Sequence, residues 1–143
     1  MPHTFTKLHY HLVFATKQRM PLITPAIQER LYRYVGGTIR EHRGSLIEIG
    51  GVADHIHILA GFLPRYPLSE MLKTIKGGAS HWVNEQSLCS GTFAWQKGYA
   101  AFTVSTSQLS KTCRYIRLQE EHHRNRSFQE ELDALLRRHG IVR

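Results

Sequence analysis

The order in which strand-like and helix-like hydrophobic spacing follow one another constrains the fold of this chain more than any other feature. Apolar residues alternate with polar ones, as in strands, over residues 7–17, 45–51, 53–62 and 98–105. Over 24–44 and 67–86 they recur every three to four residues, as on one face of a helix. Thr24 followed by Pro25 is a typical helix start, and glycine between the two middle strands indicates a hairpin turn.

The predicted order, strand, helix, strand, strand, helix, strand, is the ferredoxin-like (RRM-like) plan of an α+β domain. In this plan an antiparallel sheet carries both helices on one face, and we expect its other face to stay open. A further helix, predicted over 107–126, follows the core at 7–105, and an amphipathic tail occupies 127–143. Because the chain has 143 residues, a single domain over 1–143 is expected.

The charge balance indicates the class of partner. The chain has 19 lysines and arginines against 11 aspartates and glutamates, which gives a net charge of +8 when the histidines are neutral. The excess is spread along the chain and is not gathered in a terminal tail. A folded basic domain suits a polyanion, of which nucleic acid is the most common.

Targeting signals and cysteine frameworks are both missing from the sequence. No apolar stretch approaches the ~18 residues of a membrane span, and the N-terminus has no signal-peptide pattern. Cys89 and Cys113 do not make a disulfide framework or a metal knuckle. We therefore expect a cytoplasmic protein.

Two histidines stand one residue apart in the predicted strand 53–62. Since residues i and i+2 of a strand point to the same face, His55 and His57 stand side by side, opposite Ile56 and Ile58. If the isoleucines pack under the helices, the two imidazoles share the open face and can converge on one metal ion. A hydrogen-bonded or exposed histidine pair without metal is the alternative interpretation. Other histidine motifs fit poorly, since H-E-x-x-H is absent and Leu59 replaces a third alternating histidine.

The predicted third helix carries a tyrosine and a glutamine at helical spacing. Tyr115 and Gln119 are four residues apart and are therefore neighbours on one helix face. The side-chain oxygen of Gln119 can complete a two-histidine site for a hard divalent ion and leave room for phosphate oxygens. Tyr115 would then stand near that phosphate. The alternative is that Tyr115 is a packing residue and the spacing is coincidental.

These motifs, with the segments around them, resemble a known family. The sequence is similar to the single-tyrosine HUH transposases of insertion sequences, and especially to the REP-associated tyrosine transposases. A His-hydrophobic-His strand, followed about sixty residues later by Tyr-x-x-x-Gln, is the most specific part of the likeness. The similar segments, in order, are 10–23, 54–62, 72–80, 95–105 and 115–123.

The resemblance implies a transposase that cleaves and rejoins single-stranded DNA through a covalent 5′-phosphotyrosine. Tyr115 matches the nucleophile, and His55, His57 and Gln119 match the ligands of a divalent ion, Mg²⁺ or Mn²⁺. Such enzymes recognise DNA that carries a hairpin. Members of the insertion-sequence branch are homodimers whose tyrosine helix serves the partner's metal site, and the same arrangement is expected here. The alternative is that the tyrosine helix docks on its own domain, which the short linker at 105–107 permits.

Three basic residues are candidates for holding DNA. Lys76 matches a basic position of the family, and Arg114 and Arg117 flank the tyrosine; each is also an ordinary type of surface residue. Other functions stay open: a non-catalytic module that binds single-stranded nucleic acid, a nuclease that uses metal-bound water, or a domesticated enzyme that acts on dispersed chromosomal repeats.

Overall fold

A computed structural model describes residues 3–142 and confirms the predicted α+β order. The strands are β1 (His9–Ala15), β2 (Ser45–Val52), β3 (His55–Gly61) and β4 (Ala100–Thr103). The helices are α1 (Pro25–Glu41), α2 (Leu68–Glu85), α3 (Leu109–Arg117), α4 (Gln119–His122) and α5 (Phe128–Arg138). None of these helices is both long enough and apolar enough to cross a lipid bilayer.

The four strands form one antiparallel sheet in the order β2-β3-β1-β4, which is the ferredoxin-like arrangement predicted from the sequence. The two central strands, β3 and β1, turn Ile56, Ile58 and Leu12 toward α1 and α2. Helix α1 meets them with a stripe that includes Leu31 and Val35, both fully buried. The main core therefore lies between this face of the sheet and the first two helices.

The second face of the sheet is covered, so the expectation of an open face is wrong. Most of the predicted amphipathic tail forms α5, whose first turn is closed by a capping box between Ser127 and Glu130. Phe128 and Leu135 of α5 pack on Val13 and other side chains of the sheet. The physical reason is that this face carries apolar side chains of its own, and α5 removes them from water.

The predicted helix over 107–126 is not continuous. A short 3₁₀ turn, Thr106–Gln108, leads into α3, and the α-helical backbone breaks at Leu118 (φ −96°, ψ 23°). Helix α4 starts directly after the break. Tyr115 and Gln119 are therefore on successive helices rather than on one face of a single helix.

A glycine of β2 lets α3 approach the sheet closely. The hairpin turn consists of Ala53 and Asp54, so the predicted glycine turn is wrong, and the neighbouring glycines belong to β2. A Cβ atom on Gly50 would lie 2.5 Å from the carbonyl oxygen of Ile116 in α3. Since that atom is backbone, the whole helix carrying Tyr115 would have to shift to make room.

We expect Gly50→Ala to lower the free energy of unfolding by about 1–3 kcal/mol, the usual cost of overpacking. Gly37→Ala is the matched control, because Gly37 lies in α1 and a Cβ there meets nothing within 4 Å. The control should be neutral or stabilising by up to about 1 kcal/mol. Urea denaturation of both variants measures the difference, and equal stability would show that α3 does not lie this close to β2.

Candidate active site

His55 and His57 point together toward α3 and α5, and both are fully buried. They are on the face predicted from the strand alternation, because Ile56 and Ile58 are in the core on the other side. The two rings meet at a centroid distance of 5.2 Å. The histidine pair thus lies at the bottom of a covered site.

Each imidazole is held through its Nδ1 atom. His55 Nδ1 donates to Asp54 Oδ1 over 2.7 Å. His57 Nδ1 shares a 2.7 Å hydrogen bond with Nε2 of His11 on the neighbouring strand β1. Burial, and then the neighbouring His57, lower the pKa of His11 to about 3, so His11 is a neutral ring that can either donate or accept. Both Nε2 atoms of the pair are thereby directed into the same space.

A carboxylate from α5 fills that space. Glu131 is 1% exposed, and its Oε1 atom lies 3.2 Å from His55 Nε2 and 3.1 Å from His57 Nε2. Its Oε2 atom accepts hydrogen bonds from the Tyr115 hydroxyl and from Gln119 Nε2, the latter over 2.8 Å. His123 Nε2 is a further neighbour, 2.9 Å from Oε1. Glu131 therefore joins every site residue predicted from the histidine and tyrosine motifs.

The spacing of these atoms suits a small divalent ion. The ligand atoms of His55, His57 and Glu131 lie within 4.8 Å of one another, and Gln119 Oε1 is 3.1 Å from His55 Nε2. Octahedral ligands at ~2.1 Å from an ion are ~3.0 Å from their neighbours, which matches the separations between these nitrogens and oxygens. The carboxylate and the amide oxygen are donors that suit Mn²⁺ or Mg²⁺, and the two imidazoles are donors for divalent transition-metal ions.

Tyr115 lies at the edge of the same site. Its ring meets His57 edge-on at 5.8 Å and stacks on His122 at 4.8 Å. Burial and the neighbouring carboxylate of Glu131 both raise the pKa of the Tyr115 hydroxyl above its ordinary value. In this arrangement the Tyr115 hydroxyl therefore keeps its proton at neutral pH.

The buried charges are balanced between two residues. Burial lowers the pKa of His55, but hydrogen bonds to Asp54 and Glu131 outweigh it and raise the pKa to about 9. Burial raises the pKa of Glu131, but hydrogen bonds from His55 and His57 outweigh it and hold the pKa below its usual value. His57 has its pKa lowered, chiefly by burial. Without metal, the site holds an imidazolium–carboxylate pair beside a neutral imidazole.

Comparison with known proteins connects this geometry to a family. The family model described as Transposase IS200 like matches residues 4–119, which include His55, His57, Tyr115 and Gln119. The chain belongs to this family. The family predicted from the sequence motifs is thereby confirmed.

Two solved structures resemble this IS200-like transposase in fold. One is the crystal structure of a proposed transposase from Deinococcus radiodurans R1, at 22% identity, with a TM-score of 0.66 over 83% of this chain and 95% of that one. The other is a REP-associated tyrosine transposase bound to a REP hairpin, at 13% identity, with a TM-score of 0.64 over 86% of this chain and 73% of that one. No curated protein matches the chain.

Sequence reasoning missed Glu131, which lies beyond the family match at residues 4–119. A signal for it does exist in the sequence of the transposase. Phe128, Glu131 and Leu135 follow one another at helical spacing, so the glutamate interrupts an otherwise apolar stripe. A carboxylate on the buried stripe of a helix needs partners, and the histidine pair supplies them.

The three basic residues predicted to hold DNA are in different surroundings. Lys76 is on α2, across the sheet from the site, and its Nζ donates to the carbonyl oxygens of Gln96 and Gly98 over 2.8 and 2.7 Å. Arg117 forms an ion pair with Glu48 at 2.9 Å. Arg114 is exposed on α3. Their contact with DNA stays a prediction.

The tyrosine reaches the histidines of its own chain. Tyr115 and His57 both bond to Glu131 within one protomer, so no second copy is needed to bring them together. The expected exchange of tyrosine helices between protomers therefore receives no support from this arrangement, and a homodimer stays a prediction.

Proposed function

We propose that this transposase cleaves and rejoins single-stranded DNA through a covalent bond to Tyr115. One observation carries the proposal: the Tyr115 hydroxyl and both His Nε2 atoms bond to the same buried carboxylate, Glu131. A nucleophile and a set of metal ligands thus share one site that a phosphodiester would have to enter. The family assignment supports DNA transposition as the overall activity.

In the proposed reaction, the Tyr115 oxygen loses its proton and attacks the phosphorus of a phosphodiester. The P–O3′ bond breaks, the departing oxygen takes up a proton and becomes a free 3′-OH, and the 5′-phosphate stays on the tyrosine. Because the bond energy is kept in the phosphotyrosine, a later 3′-OH can attack it and release Tyr115. Strand transfer by this route needs no external energy source.

We further propose that His55, His57, Gln119 and Glu131 hold a divalent ion, Mg²⁺ or Mn²⁺. Such an ion, when bound, withdraws charge from the scissile phosphate and favours the ionised tyrosine. Asp54 and His11 orient the two imidazoles by their bonds to Nδ1. These bonds would leave both Nε2 atoms free to bind such an ion.

The DNA partner we propose is a single strand that carries a hairpin. The fold neighbour solved with a REP hairpin supports this choice, and so does the net charge of +8. We propose a homodimer in which each protomer uses its own tyrosine. The alternative, a binding module without chemistry, is disfavoured by the buried hydrogen-bond network around Glu131, which a pure binder does not require.

The decisive experiment is to detect the covalent intermediate. Hairpin-bearing single-stranded DNA is incubated with the protein and Mn²⁺, and the products are denatured and separated. We expect a protein–DNA adduct when the label is on the 3′ fragment, and a free 3′-OH on the other fragment. Cleavage that leaves no adduct would instead favour hydrolysis by a metal-bound water.

Glu131→Ala should lower the affinity for Mn²⁺ by at least about tenfold, because it removes a ligand from the site. Titration followed by electron paramagnetic resonance measures the free and bound ion. Glu121→Ala, an exposed position on α4, is the control and should bind Mn²⁺ as the unaltered protein does. Unchanged affinity in Glu131→Ala would mean that Glu131 only covers the site and is displaced by the ion.

A further inference from the structure

We propose that a cleft beside Tyr115 binds the single-stranded DNA next to the scissile phosphate, with one base stacked on His139. The inference rests on the proposed role of Tyr115 and adds where the substrate lies. The cleft has a volume of about 630 Å³ and lies between the end of β4, α3 and the C-terminal end of α5. This volume is typical of sites for small organic ligands, about 300–1,000 Å³, which includes the size of a nucleotide.

The walls of the cleft are suited to a phosphate backbone. Lys111 from α3 and Arg138 from α5 are both exposed and face the same space. Among the described residues that line the cleft, none carries a carboxylate. The cleft on the other side of α3 differs, since its lining has three glutamates, Glu48, Glu120 and Glu121, beside two arginines, Arg117 and Arg124. A DNA strand that approaches Tyr115 is therefore attracted more strongly to the first cleft than to the second.

His139 offers a platform for a base. Its ring stacks on Phe102 at a centroid distance of 4.2 Å and an angle of 13°. Phe102 is 4% exposed, while His139 is exposed, so one face of the imidazole is supported and the other faces solvent. Burial and the neighbouring Arg138 lower the pKa of His139, which leaves a flat, uncharged ring at neutral pH. Such a ring stacks on any base without reading its sequence.

The inner end of the cleft meets the chemistry of the site. Tyr115 and His11 both line it, and His11 bonds to His57 Nδ1. A nucleotide with its base on His139 and its phosphate toward Tyr115 would thus approach the metal ligands from the side that α5 leaves accessible. Arg138 and His139 lie beyond the family match, which ends at residue 119, so this wall of the cleft is a feature of the segment after the family domain.

The test measures DNA affinity in a Tyr115→Phe background, where no strand is cut. Fluorescence anisotropy compares a mixed-sequence single-stranded oligonucleotide with a blunt duplex hairpin. We expect His139→Ala to weaken binding of the single strand about tenfold, and Arg138→Gln to lower the slope of log affinity against log salt by ~0.7. Neither change should alter binding of the blunt hairpin.

Arg137→Gln is the matched control, because Arg137 precedes Arg138 on the same helix, is exposed and does not line the cleft. It should leave the affinity of both DNA probes unchanged. Unchanged single-strand affinity in the two cleft variants, or an equal loss for both probes, would overturn the proposal. A selective loss of single-strand affinity would support the cleft whether or not the unaltered protein forms an adduct. Absence of the adduct would count only against the role of Tyr115 as nucleophile.

Discussion

Replacing Tyr115 with phenylalanine should abolish both cleavage of single-stranded DNA and the covalent protein–DNA adduct. The change removes one oxygen and keeps the ring, which packs edge-on to His57 and stacks on His122. The fold should therefore survive, while the group proposed to form the bond to phosphorus is lost. We expect the rate of cleavage to fall by at least about a thousandfold, as measured with end-labelled DNA under single-turnover conditions.

Tyr34→Phe is a matched control for the loss of a tyrosine hydroxyl. Tyr34 is on α1, where it stacks on Trp82 on the far side of the sheet, and this variant should form the adduct at the normal rate. An adduct that persists in Tyr115→Phe would contradict the proposed chemistry. Cleavage without an adduct in that variant would instead indicate a hydrolytic nuclease.

The same variant also tests whether the tyrosine acts in its own protomer. When Tyr115→Phe is mixed with the variant that carries His55→Ala and His57→Ala, each chain lacks one half of the site. Because Tyr115 and the histidine pair of one chain bond to the same Glu131, we expect the mixture to stay inactive. Recovery of adduct formation would show that the tyrosine helices exchange between protomers in solution.

The histidine pair and the tyrosine were accessible to sequence reasoning because their signals are local. Alternation along β3 places His55 and His57 opposite Ile56 and Ile58 whatever the rest of the chain does. The order of strands and helices indicates that the two histidines lie on the face of the sheet opposite α1 and α2. The family resemblance connects this histidine pair to Tyr115. The structure brings these residues together, although Tyr115 and Gln119 are separated by the break at Leu118.

The role of Glu131 depends on contacts that no short segment of sequence shows. Its neighbours His55 and His57 lie more than seventy residues earlier in the chain, and the glutamate in the apolar stripe of α5 does not by itself indicate which residues it meets. Whether such a helix covers its own sheet or another surface is decided by tertiary packing. The wrong expectation of an open sheet face and the failure to predict Glu131 therefore have one cause, which is that the packing of α5 on the sheet could not be predicted.

Replacing both His55 and His57 with alanine should abolish metal-dependent cleavage, because the two imidazoles supply both nitrogen ligands of the proposed metal site. The loss removes two partners of the buried Glu131 carboxylate, and breaking a buried ion pair in this way destabilises a fold by about 3–5 kcal/mol. A second variant with His55→Gln and His57→Gln keeps hydrogen-bond donors beside Glu131 and protects the fold. His81→Ala, an exposed histidine on α2, controls for the loss of an imidazole elsewhere.

Proton release gives this prediction a readout that does not depend on cleavage. With a pKa raised to about 9 by Asp54 and Glu131 against the effect of burial, His55 carries a proton at pH 7 when no metal is bound. A metal needs the neutral imidazole, so binding of Mn²⁺ at pH 7 should release about one proton, and the affinity should rise with pH up to about 9. Titration calorimetry in two buffers of different ionisation enthalpy measures the released proton. The His55→Gln, His57→Gln variant should bind Mn²⁺ weakly and release none, whereas tight binding without proton release in the unaltered protein would place the metal away from His55.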